Sequence, residues 1–305
     1  MTEMNNLKLL LKDISDIEVE IRKDLSRYST MKVKSFGNLI TIKSVNALKS
    51  VVKKLSDNGM TYHLLGLGAN QLLNEEIKRP IIHLDFSYDK TIFDSYHDSY
   101  ILPASIKLST LTSHASKFGN KRWEVITGIP ATLGGAVFMN AGTGLGWINE
   151  IVKRVWYIDK EGTEHIYEVD ESSFSYRQNN FLRPGDVVYQ VELVSHGQDP
   201  ELGKKIRDYL LVRNKTQPLR EKTCGSVFKN ITSKERTCTA GRFVDILNLK
   251  GLQVGGVRVS NLHGNFMENF NEASASDVKE LIKLVQDELL LQYGLRFEPE
   301  VRIDN

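Results

Sequence analysis

Residues Gly128 to Gly146 read GIPATLGGAVFMNAGTGLG and hold six of the chain's 22 glycines. A flexible tether would be polar, yet Ile129, Leu133, Val137, Phe138 and Met139 stand between these glycines. A stretch that keeps large apolar side chains but drops so many Cβ atoms is one whose main chain something must approach closely. Packing of a loop against a sheet accounts for one or two such glycines. Six, with Pro130 and Asn140 among them, favour a bound cofactor.

A second turn, GLGANQ at Gly66–Gln71, follows a segment that reads as a strand. A dinucleotide-binding turn needs a third glycine where Gln71 stands, although Asp85 lies about 20 residues downstream, where a ribose contact belongs. Only eleven residues, Ala69 to Arg79, precede Pro80 and the next strand, too few for a loop and a crossover helix. The Rossmann reading therefore fails. Two glycine turns about sixty residues apart instead suggest backbone N–H nests for a pyrophosphate and close approach of a planar ligand.

The 305 residues are 41% hydrophobic and 26% charged, the balance of a globular protein with more than one domain. A net charge of +2 gives no electrostatic case for nucleic acid or a membrane surface. Cys224 and Cys238 form no metal-ligand spacing and suit a reducing compartment. The N-terminal stretch has a short apolar run broken by charges, unlike a signal peptide, and no later run has membrane-spanning length. A cytoplasmic protein is expected.

Residues 39–44 read as a strand, and the following segment as a helix with Leu48, Val51, Val52 and Leu55 on one face and Gly59 as its stop. TYHLLGLG and PIIHLDF read as strands, and the segment from Tyr100 as a strand and a short helix ending at Gly119. KRVWYID and TEHIYEV alternate around Gly162 as a hairpin, and RPGDVVYQVELVS as a turn and strand. ELGKKIRDYLLVRNKT is helical, with Leu202, Ile206, Leu210 and Leu211 on one face. Ser276 can cap a long helix that buries Val278, Leu281, Ile282, Val285 and Leu289 and ends at Gly294. LRFEPEVRI is a last strand, with Pro299 at an edge or a kink. Without steady alternation of strand and helix the class is α+β, with a boundary near residue 198 and a division of the N-terminal part near 85.

Three further motifs hold chemistry-bearing residues. FSYRQNNF sets Arg177 among aromatic and amide side chains, and TCGSVFKN places Ser226 before Lys229 and Asn230. No nucleophile elbow surrounds Ser226 and no His–Asp pair can be assigned to it, which argues against a hydrolase triad. The seven histidines are dispersed, so no metal site is expected. His263 of SNLHGNF reads as a hydrogen-bonded loop histidine.

The segments GLGANQLL, GIPATLGGAVFMNAG, FSYRQNNF, TQPLREKTCGSVFKN, AGRFVDILNLKGLQVGGVRVSNLHGNF and EPEVRI occur in this order over roughly residues 28 to 303. In them the chain resembles the UDP-N-acetylenolpyruvoylglucosamine reductase family, flavoenzymes of peptidoglycan precursor synthesis. The resemblance implies an FAD-binding fold of the vanillyl-alcohol-oxidase type over residues 1–198 and a substrate-binding domain over 199–305, whose last strand returns to the active site. It implies FAD held by Gly66, Gly68, Ala69, Asn70 and Gln71 of the first turn. From the second stretch it adds Gly128, Ile129, Pro130, Thr132, Gly134, Gly135 and Asn140. No histidine or cysteine lies within Gly128–Gly146, so noncovalent FAD is expected.

The implied reaction passes hydride from NADPH to FAD and on to the enol carbon of the UDP-sugar enolpyruvyl ether. By the same resemblance Arg177 is the cation beside the developing charge, Glu300 hydrogen-bonds the acid enolate and Ser226 donates the closing proton. Lys215, Lys229 and Asn230 are candidate substrate contacts. The chain departs from many relatives in having only Gly37 near the start of the flavin domain, Ala69 for a serine, and Thr216-Gln217-Pro218 for Lys-Gln-Pro. Its short SHGQDPE connection resembles the subgroup without a tyrosine-bearing loop. Two other readings stay open: a flavoprotein oxidase or dehydrogenase of the same fold acting on another substrate, and a noncatalytic flavin- or nucleotide-sugar-binding relative.

Overall fold

The computed structural model describes residues 4–232 and 237–303. Contacts group the chain into two compact units, one of residues 1–22, 38–66 and 79–210, the other of 23–37, 67–78 and 211–305. The units part after Leu210, inside the helix Leu202–Thr216, whereas the boundary expected from sequence lies near 198. The reason is that Leu202 and Ile206 are buried in the core of the first unit, with Leu210 packed against it. Leu211, expected on the same face, is exposed at 60%. Nine residues at 100° each carry it half a turn away from Leu202.

The first unit holds most of a four-stranded sheet in the order Ile17–Asp24, Phe36–Ile42, Glu76–Leu84, His63–Leu64. A second sheet runs Glu164–Glu168, Val152–Ile158, Val187–Val194, Ser99–Pro103. The expected hairpin is present, with Glu164 opposite Ile158 and Gly162 at φ +86°. Val187–Val194 is buried on both faces. Val188, Val191 and Leu193 join one core with Leu102, Trp123 and Leu133, while Val187 and Tyr189 join another with Ile40, Leu48 and Val52. Two-sided burial is why this strand reads as a nearly continuous apolar run. The helix Val45–Asp57 buries Leu48, Val51, Val52 and Leu55 as its period predicts, and Ser44 Oγ caps it by accepting from Ala47 N at 3.2 Å. The helix Leu108–Phe118 ends on Gly119 at φ +75°. The expected strand over TYHLLGLG shrinks to His63–Leu64, because the glycine turn takes over at Gly66.

In the second unit the helix Ala275–Tyr293 buries Val278, Leu281, Ile282, Val285 and Leu289. Each contributes roughly 1.5–3 kcal/mol over an exposed position. Its cap is Ser274, not Ser276. Ser274 Oγ accepts from Asp277 N at 3.1 Å and the Asp277 carboxylate accepts from Ser274 N at 2.9 Å, a reciprocal box that an acid three residues on makes possible. Gly294 closes the helix at φ +65°. A three-stranded meander, Gln253–Val254, Val257–Val259 and Met267–Asn269, packs on this helix. At the C-terminal end only Arg302–Ile303 is a strand, parallel to Gln71–Leu72. Pro299 sits opposite Phe228 at a ladder position that asks for no N–H, so the proline is tolerated there. Among the described residues no helix is long and apolar enough to cross a membrane.

Candidate active site

Ser226 lies on an extended segment of the second unit, just after Gly225 at φ +78° and the buried Cys224, whose thiol burial pushes up to about 12. One side of this segment pairs with residues 265–266: Val227 N donates to Asn265 O at 2.9 Å, and Ser226 bridges Phe266. The other side pairs with residues 298–301. Glu300 N donates to Val227 O at 2.7 Å and Lys229 N to Glu298 O at 2.8 Å. The main chain thus brings Ser226 and Glu300 onto paired neighbouring segments, and both side chains are half-buried.

The same C-terminal segment is tied to the first glycine turn. Asn70 Nδ2 donates to Glu300 O at 3.1 Å, and Arg302 N donates to Asn70 O at 3.0 Å. Gly68 has φ +57°, and a side chain there would run into the Tyr28 carbonyl oxygen and lie 2.9 Å from Ser29 Cα. Glycine is required at this position by the fold itself. The four consecutive backbone N–H groups of Leu67, Gly68, Ala69 and Asn70 make no hydrogen bond among the described residues. Two residues after Tyr28, the buried Thr30 Oγ1 also has no hydrogen-bond partner among the described residues. A run of unspent amides around a left-handed glycine is the arrangement that accepts an anion.

In the first unit the long glycine stretch divides into two kinds of position. A Cβ on Gly134 would lie 2.8 Å from Ala104 Cβ, and one on Gly142 would lie 2.6 Å from both Gly146 O and the Trp147 ring. One on Gly146 would strike the Glu150 carboxylate. Those glycines are consumed by packing, the explanation that sequence reasoning had limited to one or two. Gly135 differs, since its Cβ would meet only Thr132 Oγ1 at 3.4 Å. The N–H groups of Gly128, Thr132 and Gly135 make no hydrogen bond among the described residues. Within the first unit the Thr132 hydroxyl also lies 2.7 Å from where a Gly66 Cβ would be. Asn140 is committed to the protein. At φ +43° and 4% exposure, it donates through Nδ2 to Ser175 O at 3.0 Å and accepts through Oδ1 from Asn149 N at 3.3 Å.

That Asn140 contact clips the helix Leu133–Phe138 to the hairpin carrying Arg177, and Asn179 Nδ2 adds a second clip to Phe138 O at 2.8 Å. Phe174–Ser175 pairs with Gln178–Asn179, leaving Tyr176 and Arg177 as the two turn residues. Arg177 has φ +57°, a region where an arginine costs roughly 1 kcal/mol and that glycine or asparagine would enter more easily. Its guanidinium donates from Nη1 to Gly142 O at 3.2 Å and stacks 5.0 Å from the Trp147 ring and 5.8 Å from Tyr176. An aromatic face and a carbonyl hold this guanidinium flat.

Lys215 is exposed in the last turn of its helix, and Lys229 Nζ lies 3.4 Å from Glu298 Oε2. Asn230 Oδ1 accepts from Ala240 N at 3.2 Å and so caps the helix Ala240–Ile246. Sequence reasoning missed Trp147 and Asn265. Trp147 lies just past the last glycine considered, and an aromatic facing an arginine across about thirty residues leaves no local signature. Asn265 stood in a motif read only for its histidine.

A family model described as the C-terminal domain of UDP-N-acetylenolpyruvoylglucosamine reductase matches residues 217–303. The UDP-N-acetylenolpyruvoylglucosamine reductase of Alkaliphilus oremlandii is 31% identical over 306 residues, covering 99% of each chain. That of Moorella thermoacetica is 33% identical over 289 residues, covering 94% of this chain and 93% of its own. The crystal structure of UDP-N-acetylenolpyruvylglucosamine reductase from Thermus caldophilus aligns with a TM-score of 0.79 at 31% identity, over 95% of this chain and 100% of that one. The α+β architecture is accordingly the FAD-binding fold of the vanillyl-alcohol-oxidase type followed by a C-terminal domain. The chain belongs to the UDP-N-acetylenolpyruvoylglucosamine reductase family.

Proposed function

We infer that this chain reduces UDP-N-acetylglucosamine enolpyruvate to UDP-N-acetylmuramate with NADPH and noncovalent FAD, a step of peptidoglycan precursor synthesis. The relatives named above all bear the reductase's name, so the oxidase and noncatalytic readings are not favoured. The residues present fit the cofactor: the unspent amides of Leu67–Asn70 suit a pyrophosphate, and Thr30 Oγ1 offers a further polar partner. Gly66, Gly68, Ala69, Asn70 and Gln71 would hold FAD from the first turn. Gly128, Ile129, Pro130, Thr132 and Gly135 would do so from the second, while Gly134 and Asn140 act through packing and the hairpin clip. When bound, FAD supplies to the enolpyruvyl double bond the hydride it has received from NADPH.

Hydride at one carbon leaves an electron pair on the other, conjugated with the carboxylate. Arg177, held on Trp147, stabilises that negative charge, and such a fixed cation is worth most where water is scarce. Glu300 aids the same anion only as a hydrogen-bond donor, so its carboxyl must carry or share a proton. Ser226 Oγ gives the proton to the carbanionic carbon; it makes no hydrogen bond among the described residues that would have to break first. Lys229 and Asn230 contact the nucleotide or pyruvyl portions, and Lys215 is a further substrate contact. The protein works in the cytoplasm, where NADPH and the UDP-sugar are found, without nucleic acid or a membrane as partner.

The observation that carries the residue roles is the pairing of the Ser226 and Glu300 segments through Glu300 N to Val227 O at 2.7 Å. FAD-reconstituted protein mixed anaerobically with NADPH should lose its flavin absorbance and recover it promptly on addition of the enolpyruvyl sugar nucleotide. Bleaching without recovery would reject this substrate. Ser226→Ala should slow the recovery at least 100-fold, on the order of a lost positioned acid, with bleaching unchanged. Equal loss of both half-reactions would remove the proton-donor role.

A further inference from the structure

Phe228, two residues after Ser226, is 1% exposed, so its N–H and C=O must find partners inside the protein. They find none on the 298–301 side. There Phe228 faces Pro299, and the ladder bonds run from the flanking residues, Glu300 N to Val227 O and Lys229 N to Glu298 O. On the other side a side chain stands in for a strand. Asn265 Oδ1 accepts from Phe228 N at 2.9 Å, and Asn265 Nδ2 donates to Phe228 O at 2.9 Å. With Val227 N donating to Asn265 O, one residue of 5% exposure makes three bonds to the backbone just after Ser226.

Asn265 is itself fixed. Its N–H donates to His263 Nδ1 at 3.1 Å, which puts the imidazole proton on Nε2. Ser260 Oγ accepts from Leu262 N at 3.1 Å and His263 N at 3.3 Å, closing the turn beneath that ring. His263 meets the Phe266 ring edge-on at 4.9 Å, and Phe266 bridges Ser226. The motif SNLHGNF is thus a bracket for the serine's strand.

We propose that Asn265 is a positioning residue for the reductase reaction: its amide, seated by His263, sets the path of residues 226–228 and with it the aim of the Ser226 hydroxyl. This rests on Ser226 being the proton donor. The chemistry demands an amide, because only a group that donates on one side and accepts on the other satisfies both Phe228 atoms. An aspartate at this position would still accept from Phe228 N but would turn an anionic oxygen toward Phe228 O. Once protonated it would donate and accept as asparagine does.

The test uses the FAD-reconstituted full chain and follows both half-reactions anaerobically in Asn265→Ala, Asn265→Asp and Ser226→Ala. Asn265→Ala should slow flavin reoxidation by the enolpyruvyl sugar nucleotide about 10- to 100-fold, the scale of a misplaced reacting group, with bleaching by NADPH within about twofold of the parent. Asn265→Asp, which keeps shape and one bond, carries the test should Asn265→Ala fail to fold. Its reoxidation rate relative to the parent should rise as pH is lowered, a recovery that a merely structural residue would not show. Reoxidation at the parental rate in both Asn265 variants, or a pH-independent ratio for Asn265→Asp, would overturn the proposal while a slow Ser226→Ala kept the donor assignment. An unimpaired Ser226→Ala would overturn the donor assignment and the positioning role together.

Discussion

The two glycine-rich turns look alike in sequence and differ in what their glycines do. In the first, a single left-handed glycine at Gly68 turns the chain under the Tyr28 carbonyl, and the amides of Leu67 to Asn70 stay uncommitted. In the second, Gly134, Gly142 and Gly146 are small because Ala104, Trp147 and Glu150 occupy the space, whereas Gly135 faces little beyond Thr132 Oγ1. Glycine density therefore measures crowding by any neighbour, protein or ligand. The pattern that singles out a ligand is a run of donors with nothing to donate to.

Single methyl groups can break this contrast. Gly68→Ala combines a left-handed φ with a backbone collision, so it should lose flavin altogether and lower Tm by about 10 °C or more, read by absorbance after reconstitution and by calorimetry. Gly134→Ala overpacks Ala104 and should be destabilised by about 1–3 kcal/mol while the protein that stays folded keeps near-parental flavin affinity. Gly135→Ala should do the reverse, with Tm unchanged or slightly raised, because alanine suits a helix, and FAD affinity down about tenfold. Should Gly134→Ala lose flavin and Gly135→Ala keep it, the contrast collapses.

The smallest effect separates the two units by pH. Tyr100 Oη accepts from His97 N at 2.7 Å and from Asn120 Nδ2 at 3.0 Å, so its own proton goes to His114 Nε2 at 2.8 Å and keeps that ring neutral. Burial lowers the pKa of His114, helped by Lys117 and His97, and burial likewise lowers that of His263. Between those depressed values and the unfolded value near 6.5 the unfolded chain binds more protons, so stability is present above 6.5 and falls as pH drops through the window. Moving from pH 7.5 to 5.5 should lower Tm by about 2–4 °C, with His114→Gln removing the first unit's share and leaving the second's. A Tm indifferent to pH would show that neither ring is held neutral.

Much of this was legible in the sequence, for reasons that are local. The faces of the helices Val45–Asp57 and Ala275–Tyr293, the Gly162 hairpin and the stops at Gly119 and Gly294 depend on periodicity and on residues within one turn. The cap falls on Ser274 rather than the expected Ser276 because the Asp277 carboxylate bonds back to Ser274 N, and Leu211 lies one step of rotation beyond the buried face. The meander around Val257–Val259 escaped because two- and three-residue strands carry no period. Among the proposed site residues, the glycine turns and the candidates Arg177, Ser226 and Glu300 come from local motifs, whereas Asn265 on Phe228 and Trp147 under Arg177 have no local signature. Both depend on contacts across thirty or more residues.

The stacking of Arg177 on Trp147 also gives the protein an optical handle. Of the three tryptophans, Trp123 is fully buried in a core and Trp156 lies 5.4 Å from the Arg154 guanidinium, leaving Trp147 as the indole in contact with the cation assigned to the substrate's carboxylate. An anion arriving at Arg177 draws the guanidinium's charge away from that ring and alters its emission. Intrinsic fluorescence, with Trp147→Phe as the blank, can then time substrate arrival separately from the colour changes of the flavin.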